Sequence, residues 1–70
     1  MKIHVSDPTL VDDLVDALHE KSCEAVRTDA RTVEVRDGWA TDPDGGQYEL
    51  DGFLRAWEAL HPGVAATRMG

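Results

Sequence analysis

Residues 2–20 read Lys2-Ile3-His4-Val5-Ser6-Asp7-Pro8-Thr9-Leu10-Val11-Asp12-Asp13-Leu14-Val15-Asp16-Ala17-Leu18-His19-Glu20. Two periods meet in this stretch. Lys2 to Val5 alternates polar and apolar, which places Ile3 and Val5 on one face of a short strand. Asp7-Pro8 marks the change to a helix. A carboxylate at the N-cap accepts an orphan N–H, and proline's fixed φ suits the first helical position. The residue before a proline also avoids helical geometry. From there a helix is predicted to run to Lys21-Ser22. At 100° per residue, Leu10, Val11, Leu14, Val15, Ala17 and Leu18 fall within an arc of about 160°. Asp12, Asp13, Asp16, His19 and Glu20 occupy the opposite side. The early aspartates suit the positive end of the helix dipole.

Outward from this unit the same two periods recur. Cys23 to Asp29 reads as a second strand. Its inner face is open to two readings, Cys23 and Ala25 or Val26 and Thr28. Thr32-Val33-Glu34-Val35-Arg36 alternates strictly, with Val33 and Val35 inward, and forms a hairpin with the strand before it. Asp37 to Gly46 is rich in turn formers, Asp-Gly, Asp-Pro and Asp-Gly-Gly. Asp44 and Gln47 stand at capping-box spacing. A second helix follows to about Leu60, with Leu50, Phe53, Leu54, Trp57 and Leu60 as its stripe. Gln47 to Leu50 also admits a strand, with Asp51 capping a shorter helix. His61-Pro62-Gly63 ends the helix, and Val64 to Met69 is the last strand.

The order is strand, helix, strand, strand, helix, strand. Two amphipathic helices bury one face each most simply on the same side of a four-stranded antiparallel sheet. The expected fold is therefore a single α+β domain over residues 1–70. It is a two-layer sandwich of ferredoxin-like βαββαβ arrangement with right-handed crossovers.

Composition narrows the function classes. Seven Lys+Arg against 14 Asp+Glu give a net charge of −7. Residues 1–35 hold four basic and eight acidic side chains, and residues 36–70 hold three and six, so the acidity is spread evenly. Phosphate-backbone binders need a basic patch, and nucleic acid is not expected as a partner. No apolar run nears the ~20 residues of a membrane span, so a membrane is not expected either. The opening residues reach Asp7 before a signal-peptide core forms. One cysteine makes no internal disulfide. The expected location is cytoplasmic.

Chemistry-bearing constellations are sparse. His19 and Cys23 stand four apart, but two ligands are fewer than the three or four of a zinc site. His4 and His61 have no local partner. Ser6 and Ser22 sit at helix ends and in no nucleophile elbow. In a calcium-loop register Asp42, Asp44, Gly45 and Asp51 match, but Ala40 takes the first position and Pro43 interrupts the loop. Outward strand positions Lys2, His4, Glu34 and Arg36 offer no aromatic for base stacking. The first strand–helix turn carries neither the cysteine pair of a metal-carrying domain nor the arginine of an acylphosphatase-like site. No catalytic residue, metal or cofactor is expected, and the chain is read as a non-enzyme. Asp12, Asp16 and Glu20 line up at four-residue spacing, either as a solvated face or as a steering surface for a basic partner.

Val5-Ser6-Asp7-Pro8-Thr9-Leu10-Val11 resembles the helix start of ACT-type regulatory domains, which often carry Asp, Pro and Gly there. Here the glycine is missing and Thr9 follows the proline directly. The resemblance implies a small polar metabolite bound at Asp7 and Thr9. The whole chain also resembles small uncharacterised ferredoxin-like proteins of GC-rich bacteria. That likeness fits its single Ile, two Lys and absent Asn, and it brings no known activity.

The residue types best suited to a function are those of an interface. Trp39 is a large aromatic in an aspartate- and glycine-rich loop; it either covers one end of the core or anchors a partner. Gly52, Ala56 and Ala59 form a band of small residues on the second helix, bordered by Tyr48. That band either packs on the first helix or receives a second copy of the chain. A protein–protein or self-associating module, a homodimer using Trp39, Tyr48, Gly52 and Ala56, is the expected function. The metabolite sensor is the alternative.

Overall fold

The computed structural model describes residues 1–69. The first strand, β1, covers Lys2–Val5; a 3-10 turn over Pro8–Leu10 leads into helix α1, Val11–Glu20. Strands β2 (Glu24–Arg27) and β3 (Thr32–Asp37) form the hairpin. A second 3-10 turn, Trp39–Thr41, precedes helix α2 (Gly46–Leu60), and β4 (Ala66–Met69) closes the order. The four strands make one sheet in the order β2-β3-β1-β4, each pair antiparallel. It follows that β1 and β2 run parallel with β3 between them, and β3 and β4 run parallel with β1 between them. The α+β class, the antiparallel four-stranded sheet and the two helices are thus as expected.

Alternation decides which sheet face is covered. Ile3, Val5, Ala25, Val33, Val35 and Ala66 are buried, whereas Lys2, His4, Arg36 and Thr67 are exposed. Val11, Leu14 and Leu18 of α1 and Leu50, Leu54 and Trp57 of α2 join the buried strand residues in one cluster. Both helices therefore lie on the same face of the sheet, as their single apolar stripes require.

Several boundaries and faces differ from the sequence reading, each for a local reason. Cys23 and Ala25 take the inside, and Val26 turns to the open face. Register fixes this: Ala25 opposes the buried Val35, after a bulge between Glu24 and Ala25. Gln47 to Leu50 is helical. The predicted Asp44–Gln47 capping box does not form, because Gly45 takes the N-cap position with φ 121° and no side chain caps it. Asp42 organises the turn instead: its carboxylate accepts the Asp44 N–H at 2.8 Å and its carbonyl accepts the Gly46 N–H at 2.9 Å. Gly46 is buried beneath the Trp39–Ala40 backbone, where a Cβ would lie 2.9 Å from the Ala40 carbonyl. Leu60, placed by its spacing in the core stripe, is exposed. It is the last residue of α2 and sits about 80° around the helix from Leu50, so the core ends at Trp57.

Both sheet edges are held down by the helix above them. On β4 the Ser6 N–H donates to the Ala65 carbonyl at 2.8 Å, so antiparallel alternation turns the backbone groups of Ala66 and Arg68 outward. Glu58 of α2 accepts the Ala66 N–H at 2.8 Å. Arg68 donates to both oxygens of Asp51 on α2, at 3.0 and 3.2 Å. On β2 the Thr28 N–H donates to Thr32 at 3.0 Å, which leaves Ala25 and Arg27 facing outward. His19 Nε2 lies 2.8 Å from the Ala25 carbonyl, and Arg27 pairs with Asp12 of α1 at 3.4 Å. Each open edge thus carries one side-chain cap and one arginine–aspartate bridge.

Candidate functional site

The outward side of α2 gathers the residues that sequence reasoning singled out. Tyr48 is 71% exposed, and Gly52, Ala56 and Ala59 are exposed along the same side. A Cβ on Gly52 would meet nothing within 4 Å. The small-residue band therefore does not pack on α1. Both helices use their wider apolar sides on the sheet, and α2's small side chains are left facing solvent. Leu60, 78% exposed, ends the same surface.

Trp39 adjoins this surface and is half-buried. Its indole N–H donates to the Lys21 carbonyl at 2.7 Å, in the turn that ends α1. Its ring meets Phe53 edge-on, with centroids 5.8 Å apart and planes at 63°. Edge-to-face contact suits the opposite charges of ring edge and ring face. Trp39, Phe53, Lys21 and Glu49 line an open groove of about 380 Å³. The indole thus bridges the end of α1 to α2 and keeps a side on the groove.

A second groove, of about 310 Å³, runs between α2 and the β4 edge. Asp51, Arg55, Glu58 and Arg68 give it two charges of each sign. The hydrogen bonds from Arg68, with its positive charge, hold the Asp51 carboxyl below the usual carboxylate range. Asp51 in turn raises the Arg68 guanidinium.

Asp7 and Thr9 are close, but their polar groups serve each other. One Asp7 oxygen accepts both the Thr9 N–H at 2.9 Å and the Thr9 hydroxyl at 2.7 Å. Those bonds lower the Asp7 carboxyl. The cap closes the short 3-10 turn and not α1 itself. His19 points to the β2 edge, and Cys23 is buried with Gly38 against it. His61 Nδ1 lies 2.9 Å from the Trp57 carbonyl, with its ring tilted on the indole at 4.4 Å. Among the described residues no three His, Cys, Asp or Glu side chains converge as a metal site. No helix among them is long and apolar enough to cross a membrane.

The chain matches no protein-family model, no curated protein and no solved structure. Its geometry is the evidence for what it does. Three participants escaped sequence reasoning: Leu60 as a surface residue, and Glu58 and His19 as edge caps. Leu60 carried a signal, since it lies at the rim of its helical stripe. The caps carried none, because they depend on which way the edge backbone turns.

Proposed function

We propose that the chain is a non-enzymatic association module of ferredoxin-like fold that binds through the outward side of α2 and the adjoining Trp39. The strand order and the two helices on one sheet face support that reading of the fold. One observation carries the function: Tyr48 and Leu60, among the most exposed large apolar side chains, stand at opposite ends of a helix side made of Gly52, Ala56 and Ala59. Small residues let another backbone approach, and aromatic residues at such a surface supply contact area at low entropic cost. The sheet edges are less suited to the task, because Glu58 and His19 already occupy backbone groups there. The metabolite alternative at Asp7 and Thr9 has weaker support, since the Thr9 hydroxyl and one Asp7 oxygen are already bonded to each other within the turn.

Amide NMR on the isotope-labelled chain tests this reading. As concentration rises, the largest shifts should fall on Tyr48–Leu60 and on the Trp39 indole. Shifts centred on Asp7 and Thr9 with pooled amino acids, and none on α2, would overturn it in favour of the sensor.

A further inference from the structure

We propose that residues 38–44 form a strap that opens as a unit, with the Trp39 indole as its latch. Opening leaves the sheet and both helices folded. It stands apart from the association reading, because the strap opens whether or not anything binds the groove.

The hydrogen bonds of the segment divide unevenly. Thr41 donates its N–H and its hydroxyl to the Gly38 carbonyl, and the Asp42 N–H donates to the Trp39 carbonyl. Gly38 and Asp44 donate to the carboxylates of Asp37 and Asp42. Among the described residues, the bond that reaches beyond 37–46 is the one from the Trp39 indole to the Lys21 carbonyl at 2.7 Å. The apolar hold is also small. Ala40 is the buried side chain of the strap, Trp39 is half-buried, and Thr41, Asp42, Pro43 and Asp44 are exposed. Segments with little buried apolar surface and exposed backbone bonds open locally at low free-energy cost. Gly38 and Gly45 flank the strap with φ of 128° and 121°. Glycine changes its backbone angles there without a Cβ penalty, which suits both positions to act as hinges.

The strap covers two things. Gly38 lies directly against Cys23: a Cβ on Gly38 would stand 2.8 Å from the Cys23 Sγ and 2.9 Å from its Cα. The Cys23 residue is 3% exposed under that contact. Trp39 is one wall of the groove that Lys21, Glu49 and Phe53 complete. Opening therefore uncovers the thiol and removes a groove wall in the same movement. The groove is conditional on the latch, and any group that fills it holds the strap closed. Cys23 reports the opening and is no site in itself.

Labelling of the single cysteine by an aromatic disulfide reagent, across a denaturant series, tests the strap. Global unfolding of the same samples is followed by circular dichroism. Local opening exposes little surface, so the labelling rate should depend on denaturant much less steeply than global unfolding does. Trp39→Phe keeps a ring against Phe53 and removes the indole donor. It should raise labelling about fivefold, the worth of one hydrogen bond. Ile3→Val, a mild change on β1, lowers global stability and should leave labelling in water unchanged. Labelling with the full denaturant dependence of global unfolding would overturn the strap. So would a rise in Ile3→Val that matches its loss of global stability, or no rise in Trp39→Phe.

Discussion

Gly46 and Gly52 sit in the same helix and have opposite surroundings. A Cβ on Gly46 collides with the backbone of Trp39 and Ala40, whereas Gly52 faces open space. Gly46→Ala should therefore destabilise the chain by about 1–3 kcal/mol, the usual range for forcing extra atoms into a packed site. Gly52→Ala should stabilise the monomer by up to about 1 kcal/mol through helix propensity. Denaturant unfolding at low micromolar concentration, where association does not contribute, compares the two. Equal effects would mean that the Trp39–Ala40 turn does not rest on Gly46. Sequence alone places Gly52 in a helical band of small residues and Gly46 at the end of a turn-rich stretch. The burial of Gly46 comes from a tertiary contact that no local pattern encodes.

The elements divide along the same line. The buried stripe of α1 was readable, because Val11, Leu14 and Leu18 keep one period and one sheet receives them, but its start was not: Asp7-Pro8 opens a 3-10 turn over Pro8–Leu10, and α1 begins at Val11. α2 was readable up to Trp57 and misread at Leu60, where helical spacing continues past the sheet it packs on. The edge caps follow from strand register, which the hydrophobic pattern only partly expresses. Their roles are open to test. Glu58→Ala leaves the Ala66 N–H on an open edge without its acceptor. The Ala66 amide should then exchange faster, and stability should fall by about 1 kcal/mol. Unchanged protection at Ala66 would remove Glu58 as the cap of β4.

The Arg68–Asp51 bridge predicts a pH response. The folded Asp51 carboxyl lies below its ordinary value of 3.8 because Arg68 bonds to its charged form. A depressed folded value stabilises above the unfolded one and is lost as pH falls through the folded one. Asp7 and Asp29 act in the same direction, through hydrogen bonds from Thr9 and from Arg31 and Thr32 respectively. The fold should thus lose stability below pH 3.8. Arg68→Met should flatten that decline by removing the Asp51 share, as thermal melts across the acid range would report. An identical slope in the variant would show that the bridge does not contribute.

At the scale of the whole molecule, the acidic side of α1 is polar, the open sheet face is mostly polar with Met69 exposed on it, and the two most exposed large apolar side chains, Tyr48 and Leu60, are on α2. Lys2, His4 and Arg36 lie on the open sheet face; Asp12, Asp13, Asp16 and Glu20 lie on α1. A net charge of −7 sets copies of the chain against one another, so the proposed association requires a particular fit. The sequence singles out Trp39, Tyr48, Gly52 and Ala56 by residue type and not by arrangement. The groove requires Trp39 to be tied to Lys21, a contact between residues 18 apart in the chain.

The most direct test of the central claim is the solution mass of the unmodified chain as its concentration is raised. Light scattering should pass from the chain mass of 7.7 kDa towards twice that value by high micromolar concentration, and no further, because a two-fold pairing closes on itself. A mass that stays at the monomer value throughout would contradict the account.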